Sequence, residues 1–345
     1  EEARAHFQDA IHDSLAEIHL ERGEYEQAIQ QADQALARRP DKAQSAQLKA
    51  RALVEMGLAD DGETWIREAV EAAPADQVLG QAFLLNLLVE ARRHRAALDL
   101  SDRVIDRLDG SPDRSVRALL VAIRGGAASD DTMGAAGLGE NRAPALALAR
   151  SRVAALYGLG ENRRARGILA AVLEAVQGPD LEAASELLYE ARRQTDWETV
   201  TELTSLVLLR TGDTPYCLWL RGMARAKLGQ LPGARQDLDR CLNFPSSTRR
   251  GFRNELQDTL ADVALLAGDA PSALEHTGRA LERDPRRPQS LDLRAQALFA
   301  LGRDDEGEDT IRRALDTIRG GDELNLVHLL FLLNDTNRTA AALEI

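Results

Sequence analysis

Aromatic residues make up only 4% of this 345-residue chain, and β-branched residues are also thin. That shortage excludes a sheet-rich core, which is built from those side chains. Two cysteines, Cys217 and Cys241, are too few for a disulfide framework, and their spacing matches no metal knuckle. They read as small buried side chains in a reducing compartment. No stretch approaches the roughly 20 consecutive apolar residues that span a bilayer, and no apolar signal segment precedes the first helical pattern, so membrane insertion is not expected. Positive charge is in deficit. A formal net charge of −13 and a pI near 5.1 repel a phosphate backbone over most of the surface, which removes nucleic acid from the expected partners. The arginine doublets Arg38-Arg39, Arg92-Arg93, Arg163-Arg164, Arg249-Arg250 and Arg286-Arg287 fall near helix ends and turns. Cations are favoured there without any ligand.

Alanine, leucine, arginine and glutamate dominate instead, the composition of long helices. At this length two or three domains of about 100 to 200 residues, or one repeat array, are expected. Periodicity selects the array. A glycine follows each apolar helical run, at Gly23, Gly57, Gly126, Gly160, Gly229, Gly268 and Gly302, with gaps of 34, 69, 34, 69, 39 and 34 residues. Arg92 and Thr195 fill the two skipped slots. A repeat of 34 residues holds two helices of about 12 to 15 residues and two short turns.

Other columns keep the same beat. Seven residues before the turn stand Ala16, Ala50, Val153, Gly222, Ala261 and Ala295. Five past it stand Ala28, Gly62, Ala97, Ala165, Ala234, Ala273 and Gly307, with the larger Val200 as exception. Seven further on come Ala35, Ala69, Val104, Val172, Val207, Cys241, Ala280 and Ala314. Small side chains at fixed phase mean helices that approach closely. Pro40, Pro74 and Pro285 close second helices, where a helix cannot continue.

Segments such as Gly23-Glu24-Tyr25-Glu26-Gln27-Ala28 and Ala280-Leu281-Glu282-Arg283-Asp284-Pro285 resemble the tetratricopeptide repeat family, and the likeness runs over nearly the whole chain. It departs from the family where the aromatic expected early in the first helix is replaced by leucine or a polar residue, and the middle repeats are degenerate. The resemblance implies an all-α, right-handed superhelical solenoid of antiparallel helix pairs whose first helices line a concave groove. The units fall at 9–42, 43–77, 78–111, 112–145, 146–180, 181–214, 215–253, 254–287 and 288–321, with a partial unit at 322–345. The fourth loses its second helix to Gly134, Gly137 and Gly139, each costing about 1 kcal/mol of helix propensity relative to alanine, so a flexible loop is expected from about 125 to 143. Residues 243–253 carry an insertion that reads as a longer turn.

The chemistry-bearing residues form no catalytic pattern. The glycines around 134–139 and 158–160 follow no strand and precede no P-loop lysine. None of His6, His12, His19, His94, His276 and His328 forms an i, i+4 metal pair or neighbours a nucleophile, and His12 and His19 fall on the packing face of the first hairpin. Fifty-six carboxylates offer many spacings and single out no acid–base pair. No catalytic residue, metal or cofactor is expected.

What remains is recognition. The resemblance places side chains about ten to thirteen, six, and two to three residues before the turn in the groove. Asp13, Glu17 and Glu21 at one end, and Glu255, Asp258, Asp262 and Asp292 at the other, make both ends acidic. The lysine and asparagine clamp with which some relatives hold a chaperone's acidic C-terminus is missing, since its positions hold Asp13, Glu17 and Leu48. The middle offers Asn86, Arg150, Tyr157, Tyr189, Arg192, Arg193, Tyr216, Trp219, Met223 and Lys227, a composition typical of protein-binding hot spots. On a one-residue change of phase Trp219 is core instead.

The expected function is a non-enzymatic scaffold or adaptor that binds a segment of a partner protein. The alternatives are a regulatory repeat region of a larger enzyme or regulator, and a periplasmic scaffold in polysaccharide export or envelope assembly. The chain opens at Glu1 inside a helical pattern and reads as a piece of something longer. Cytoplasmic residence is expected, or periplasmic if a signal peptide has been removed. Leu324, Leu326, Leu329, Leu330, Leu332 and Leu333 at the open C-terminal unit predict self-association as a homodimer.

Overall fold

The computed structural model describes residues 2–74, 77–108, 123, 142–176, 181, 184–245 and 252–316, with the side chains of 2–9 and 142–143 excepted. The expected glycine-rich loop and the leucines of the partial unit at 322–345 lie outside these residues. The described residues form helices joined by turns, with no strand among them. The chain divides into two compact units, Glu1–Thr199 and Val200–Ile345.

The first unit contains α1 (Glu2–Glu21), α2 (Tyr25–Leu36), α3 (Ala43–Glu55), α4 (Ala59–Ala72), α5 (Val78–Glu90), α6 (His94–Leu108), α7 (Arg142–Gly158), α8 (Asn162–Ala175) and the short α9 (Leu188–Arg193). The boundary falls inside α10 (Trp197–Thr211). The second unit continues with α11 (Pro215–Lys227), α12 (Leu231–Leu242), α13 (Arg253–Leu266), α14 (Ala270–Leu281), α15 (Pro288–Ala300) and α16 (Asp304–Leu315). Neighbouring helices pack as hairpins, α1 with α2, α5 with α6, α11 with α12, α13 with α14 and α15 with α16, and within each unit successive first helices also pack on one another.

The turn glycines have a backbone reason. Gly23, Gly57, Gly160, Gly229, Gly268 and Gly302 all have φ between 68° and 78°, the left-handed conformation that closes a helix so the chain can reverse. The residue after each donates its N–H back into the preceding helix; Glu24 N reaches His19 O at 2.9 Å and Asp269 N reaches Ala264 O at 2.8 Å. Arg92 (φ 59°) and Thr195 (φ 56°) take the same conformation with a Cβ present.

The small-residue columns are where helices meet. Ala16, Ala50, Val153, Ala261 and Ala295 are buried completely, as are Ala28, Ala165, Ala234 and Ala273 across the hairpin. At Gly222 an added Cβ would lie 2.8 Å from the side chain of Leu238, and at Gly307 it would lie 2.7 Å from Phe299. Cys217 and Cys241 are buried free thiols in the same packing.

Successive first helices are also stitched by polar pairs that recur at equal spacing. Asp13 accepts from Ser45 Oγ at 2.6 Å and faces Lys42 Nζ at 2.5 Å. In the second unit Asp258 accepts from Ser290 Oγ at 2.5 Å and from Arg287 Nε at 2.7 Å. Asp13 and Asp258 are 2% and 1% exposed, so they are seam residues rather than the acidic groove lining expected of them. Position ten before the turn points along the stack to the next hairpin.

A second recurrent pair bridges the two helices of one hairpin. His12 Nδ1 lies 2.7 Å from Gln31 Oε1, and the types are exchanged in the second unit, where His276 Nδ1 lies 3.0 Å from Gln257 Oε1.

In the first unit α7 packs directly on α5 and α6. Ser151 Oγ donates to Ala82 O at 3.0 Å, and Arg152 reaches Ser101 Oγ at 2.6 Å and Asp102 at 2.7 Å. Helices more than thirty residues apart in sequence are therefore neighbours in the stack.

Two helical glycines should respond with opposite signs to alanine. Gly167 in α8 has nothing within 4 Å of an added Cβ, so Gly167→Ala should stabilise by about 0.5–1 kcal/mol through helix propensity. Gly222→Ala gains the same but overpacks against Leu238, which costs about 1–3 kcal/mol, and should lower the urea midpoint. Equal shifts of one sign would refute the close-approach account.

His276 generates a pH prediction. Burial, then Arg279, lowers its pKa below the ordinary 6.5. The folded state holds it neutral while the unfolded chain takes up a proton, so its contribution to stability is present above about pH 6.5 and is lost as pH falls through that value. His94, lowered by burial and by Arg92, has the same sign. Thermal melts between about pH 7.5 and 5.5 should show a shallower loss for His276→Gln than for the native chain; parallel curves would sink the assignment.

Candidate protein-binding face

The first unit gathers its first helices side by side, in the order α1, α3, α5, α7, α9. On α1, α3, α5 and α9 the side chains six and two residues before the turn then fall on one face. The sequence supplies Glu17 and Glu21 on α1, Arg51 and Glu55 on α3, Asn86 and Glu90 on α5, and Tyr189 and Arg193 on α9. Arg51 donates from Nε to Glu55 Oε1 at 2.6 Å, and its pKa is raised by that bond and further by Glu55, Glu17 and Glu90. Charges from three successive helices thus share one field.

In the middle of this row α5 exposes Leu79 and Phe83, at 54% and 49%. They stand four residues apart, one helical turn, and so side by side. Asn86 follows on the same face, half-buried, and donates from Nδ2 to Glu90 Oε1 at 2.8 Å. Helix α5 carries apolar residues on every side, and when its packing faces are filled the remainder must meet water.

Beyond α7 lies a cationic and aromatic cluster. The guanidinium of Arg150 sits 5.8 Å from the ring centroid of Tyr189, and that of Arg192 sits 5.4 Å from it. Glu190, buried beneath, accepts from Arg150 Nε at 2.8 Å and from Arg193 Nη1 at 3.4 Å. Three guanidiniums thus surround one carboxylate and one exposed ring, an arrangement suited to an acidic or aromatic ligand group.

The remaining expected contact residues are placed differently. Tyr157 is buried, donating from its hydroxyl to Asp196 Oδ2 at 3.0 Å, and burial, then Asp196, pushes its pKa up. Asp196 also receives a bidentate pair from Arg166 at 2.7 Å and caps α10 through Thr199 N.

In the second unit Trp219 is 3% exposed. It stacks on Phe252 at 4.9 Å, and its Nε1 donates to Thr259 Oγ1 at 3.1 Å. Met223 is buried, Tyr216 packs half-buried on Trp219 and Phe252, and Lys227 pairs with Asp262 at 2.6 Å. Trp219 stands ten before its turn, the seam position of Asp13 and Asp258, which is the physical reason it is core. The alternative phase applies there.

Sequence reasoning missed Leu79 and Phe83. The available signal was α5 itself, apolar on faces where its counterparts are polar, but periodicity could not say which leucine faces out.

Repeated hairpins that bury their small columns and leave one face of the first helices free define a helical-repeat scaffold. Residues 14–77 and 259–322 match the family model of the tetratricopeptide repeat. Among solved structures, the crystal structure of the P58(IPK) TPR domain at 2.5 Å is 14% identical over 96% of this chain and 97% of that one, with a TM-score of 0.29. The TPR2AB domain–pHSP90 complex of yeast Sti1 is 11% identical over 95% of this chain and 98% of that one, with a TM-score of 0.28. No curated protein sequence matches.

The burial pattern predicts which alanine substitutions damage the fold. Trp219→Ala should cost about 3–5 kcal/mol, and Asp258→Ala, which takes the acceptor from Ser290 Oγ and Arg287 Nε and leaves Arg287 only Glu255, about 3 kcal/mol. Tyr189→Ala should cost less than about 1 kcal/mol. Chemical denaturation orders the three, and a Tyr189 variant as damaged as Trp219→Ala would contradict the placement.

Proposed function

We propose that this chain is a non-enzymatic protein-interaction scaffold that binds a segment of a partner protein along the first-helix face of its first unit. The observation that carries the reading is the exposed pair Leu79 and Phe83 on α5. Burying each would contribute about 1.5–3 kcal/mol. Asn86 stands beside the pair to bond a ligand backbone or side chain, Arg150 stands one helix further on, and Tyr189, Arg192 and Arg193 stand on the helix after that. On the other side Glu17, Glu21 and Glu55 supply negative charge. The complementary segment has an apolar anchor for Leu79 and Phe83, acidic or aromatic residues toward Tyr189, and basic residues toward α1.

Non-enzymatic action agrees with how the chemistry-bearing groups are spent. Asp13, Asp196, Asp237 and Asp258 are each tied to a cation inside the stack. Among the described residues no helix is long and apolar enough to cross a membrane, and no group of three or more histidines, cysteines and carboxylates is placed to hold a metal.

A displayed random-peptide library panned on the intact chain tests this directly. Enriched peptides should carry an apolar anchor flanked by acidic residues, and should lose at least about tenfold in affinity, about 1.4 kcal/mol, toward the Phe83→Ser, Tyr189→Ala variant while its melting curve is unchanged. Equal binding to both would move the contact surface elsewhere.

A further inference from the structure

At the turn edge of the first unit, a cleft of about 330 Å³ opens between the start of α4, the α5–α6 turn and the α7–α8 turn. Its walls carry four arginines, Arg67, Arg92, Arg93 and Arg95, against two carboxylates, Glu63 and Asp99. An excess of two positive charges in one recess is notable in a chain of net charge −13.

The arginines divide into two kinds. Arg67 reaches Glu63 at 3.2 Å, and Arg93 bridges Glu63, at 3.9 Å, and Asp60. These two are committed to the wall. Arg92 and Arg95 are exposed and have no ion-pair partner among the described residues.

Arg92 occupies the left-handed turn position, φ 59°, where six sister turns have glycine. A side chain in that conformation costs on the order of 1 kcal/mol relative to glycine. Its guanidinium is exposed and gains no core packing in return.

The floor of the cleft is built to match. His94 opens the fifteen-residue helix α6, whose free N–H groups and dipole favour an anion. The imidazole sits where Gly158 lacks a side chain, since a Cβ there would fall 2.4 Å from the ring. Its Nδ1 is buried with no hydrogen-bond partner.

We infer that this cleft is a phosphate site, gripping a phosphomonoester or inorganic phosphate between the Arg92 and Arg95 guanidiniums at the start of α6. Several donors around one recess suit a tetrahedral dianion with three acceptor oxygens better than a planar carboxylate. The site uses none of the residues of the binding face and stands or falls independently of it.

The strained turn supplies a test that separates folding from binding. Arg92→Gly relieves the left-handed penalty and removes the guanidinium, so it should melt no lower than the native chain. Titration calorimetry at constant ionic strength would then compare inorganic phosphate, a phosphoserine tripeptide and the same tripeptide unphosphorylated. The native chain should bind the two phosphate probes and not the third. Arg92→Gly and Arg95→Gln should each weaken phosphate binding about tenfold, the scale of one charge-assisted contact. A phosphoserine tripeptide held at least tenfold more tightly than inorganic phosphate assigns the site to a phosphorylated protein segment, and equal affinities assign it to the free ion. Absence of phosphate heat in the native chain, or affinity unchanged in Arg92→Gly, overturns the inference.

Discussion

Helix backbones in this protein approach one another at columns of alanine and glycine, and almost every other feature follows from that approach. When Ala16 and Ala28, or Ala261 and Ala273, bury completely, the hairpin becomes thin enough for the next to lie against it in the same register. The repeat length is then constrained, because a helix of different phase would present a large side chain where only a methyl fits. The reversal between helices must be equally short, which forces the left-handed turn residue and hence the glycines. Gly222 and Gly307, whose added Cβ atoms would strike Leu238 and Phe299, mark where even alanine is too large.

The same geometry decides which polar groups are structural. A residue ten before the turn faces the seam between successive hairpins, so whatever stands there must be satisfied or apolar. Asp13 and Asp258 take a serine and a cation from the next hairpin, while Trp219 takes a threonine hydroxyl and an aromatic neighbour from the segment before α13. Charged residues at six and two before the turn, such as Glu17, Glu21, Arg51 and Glu55, escape this and remain in solvent. On α1 a difference of four positions thus separates the buried Asp13 from the exposed Glu17.

Placing α7 against α5 has consequences for the site. The Ser151 and Arg152 contacts to Ala82 and Ser101 put Arg150 one helix and Tyr189 two helices away from Phe83 in the stack, although more than sixty residues separate Phe83 from Arg150 along the chain. The same junction brings Leu159 and Gly158 to the edge of the cleft formed by Arg92, His94 and Arg95. Both surfaces depend on a long-range docking event.

The helical hairpin, its length and its turn residues were legible in the chain because they rest on local rules: helix propensity, the left-handed turn and the need for small side chains at a fixed phase. Buried cysteines and the partnering of His12 across its hairpin belong to the same class. The assignment of Trp219, Met223 and Tyr157 was not legible, since groove and seam positions differ by a fraction of a helical turn and composition favours neither. Leu79 and Phe83 were hidden for a different reason. In a helix apolar on all sides, exposure depends on which faces the neighbours cover. The sequence alone therefore determined a stack of helix pairs with closely spaced backbones. Only the tertiary structure decided which charges became stitches and which apolar side chains stayed in water, because both depend on which hairpin lies next to which.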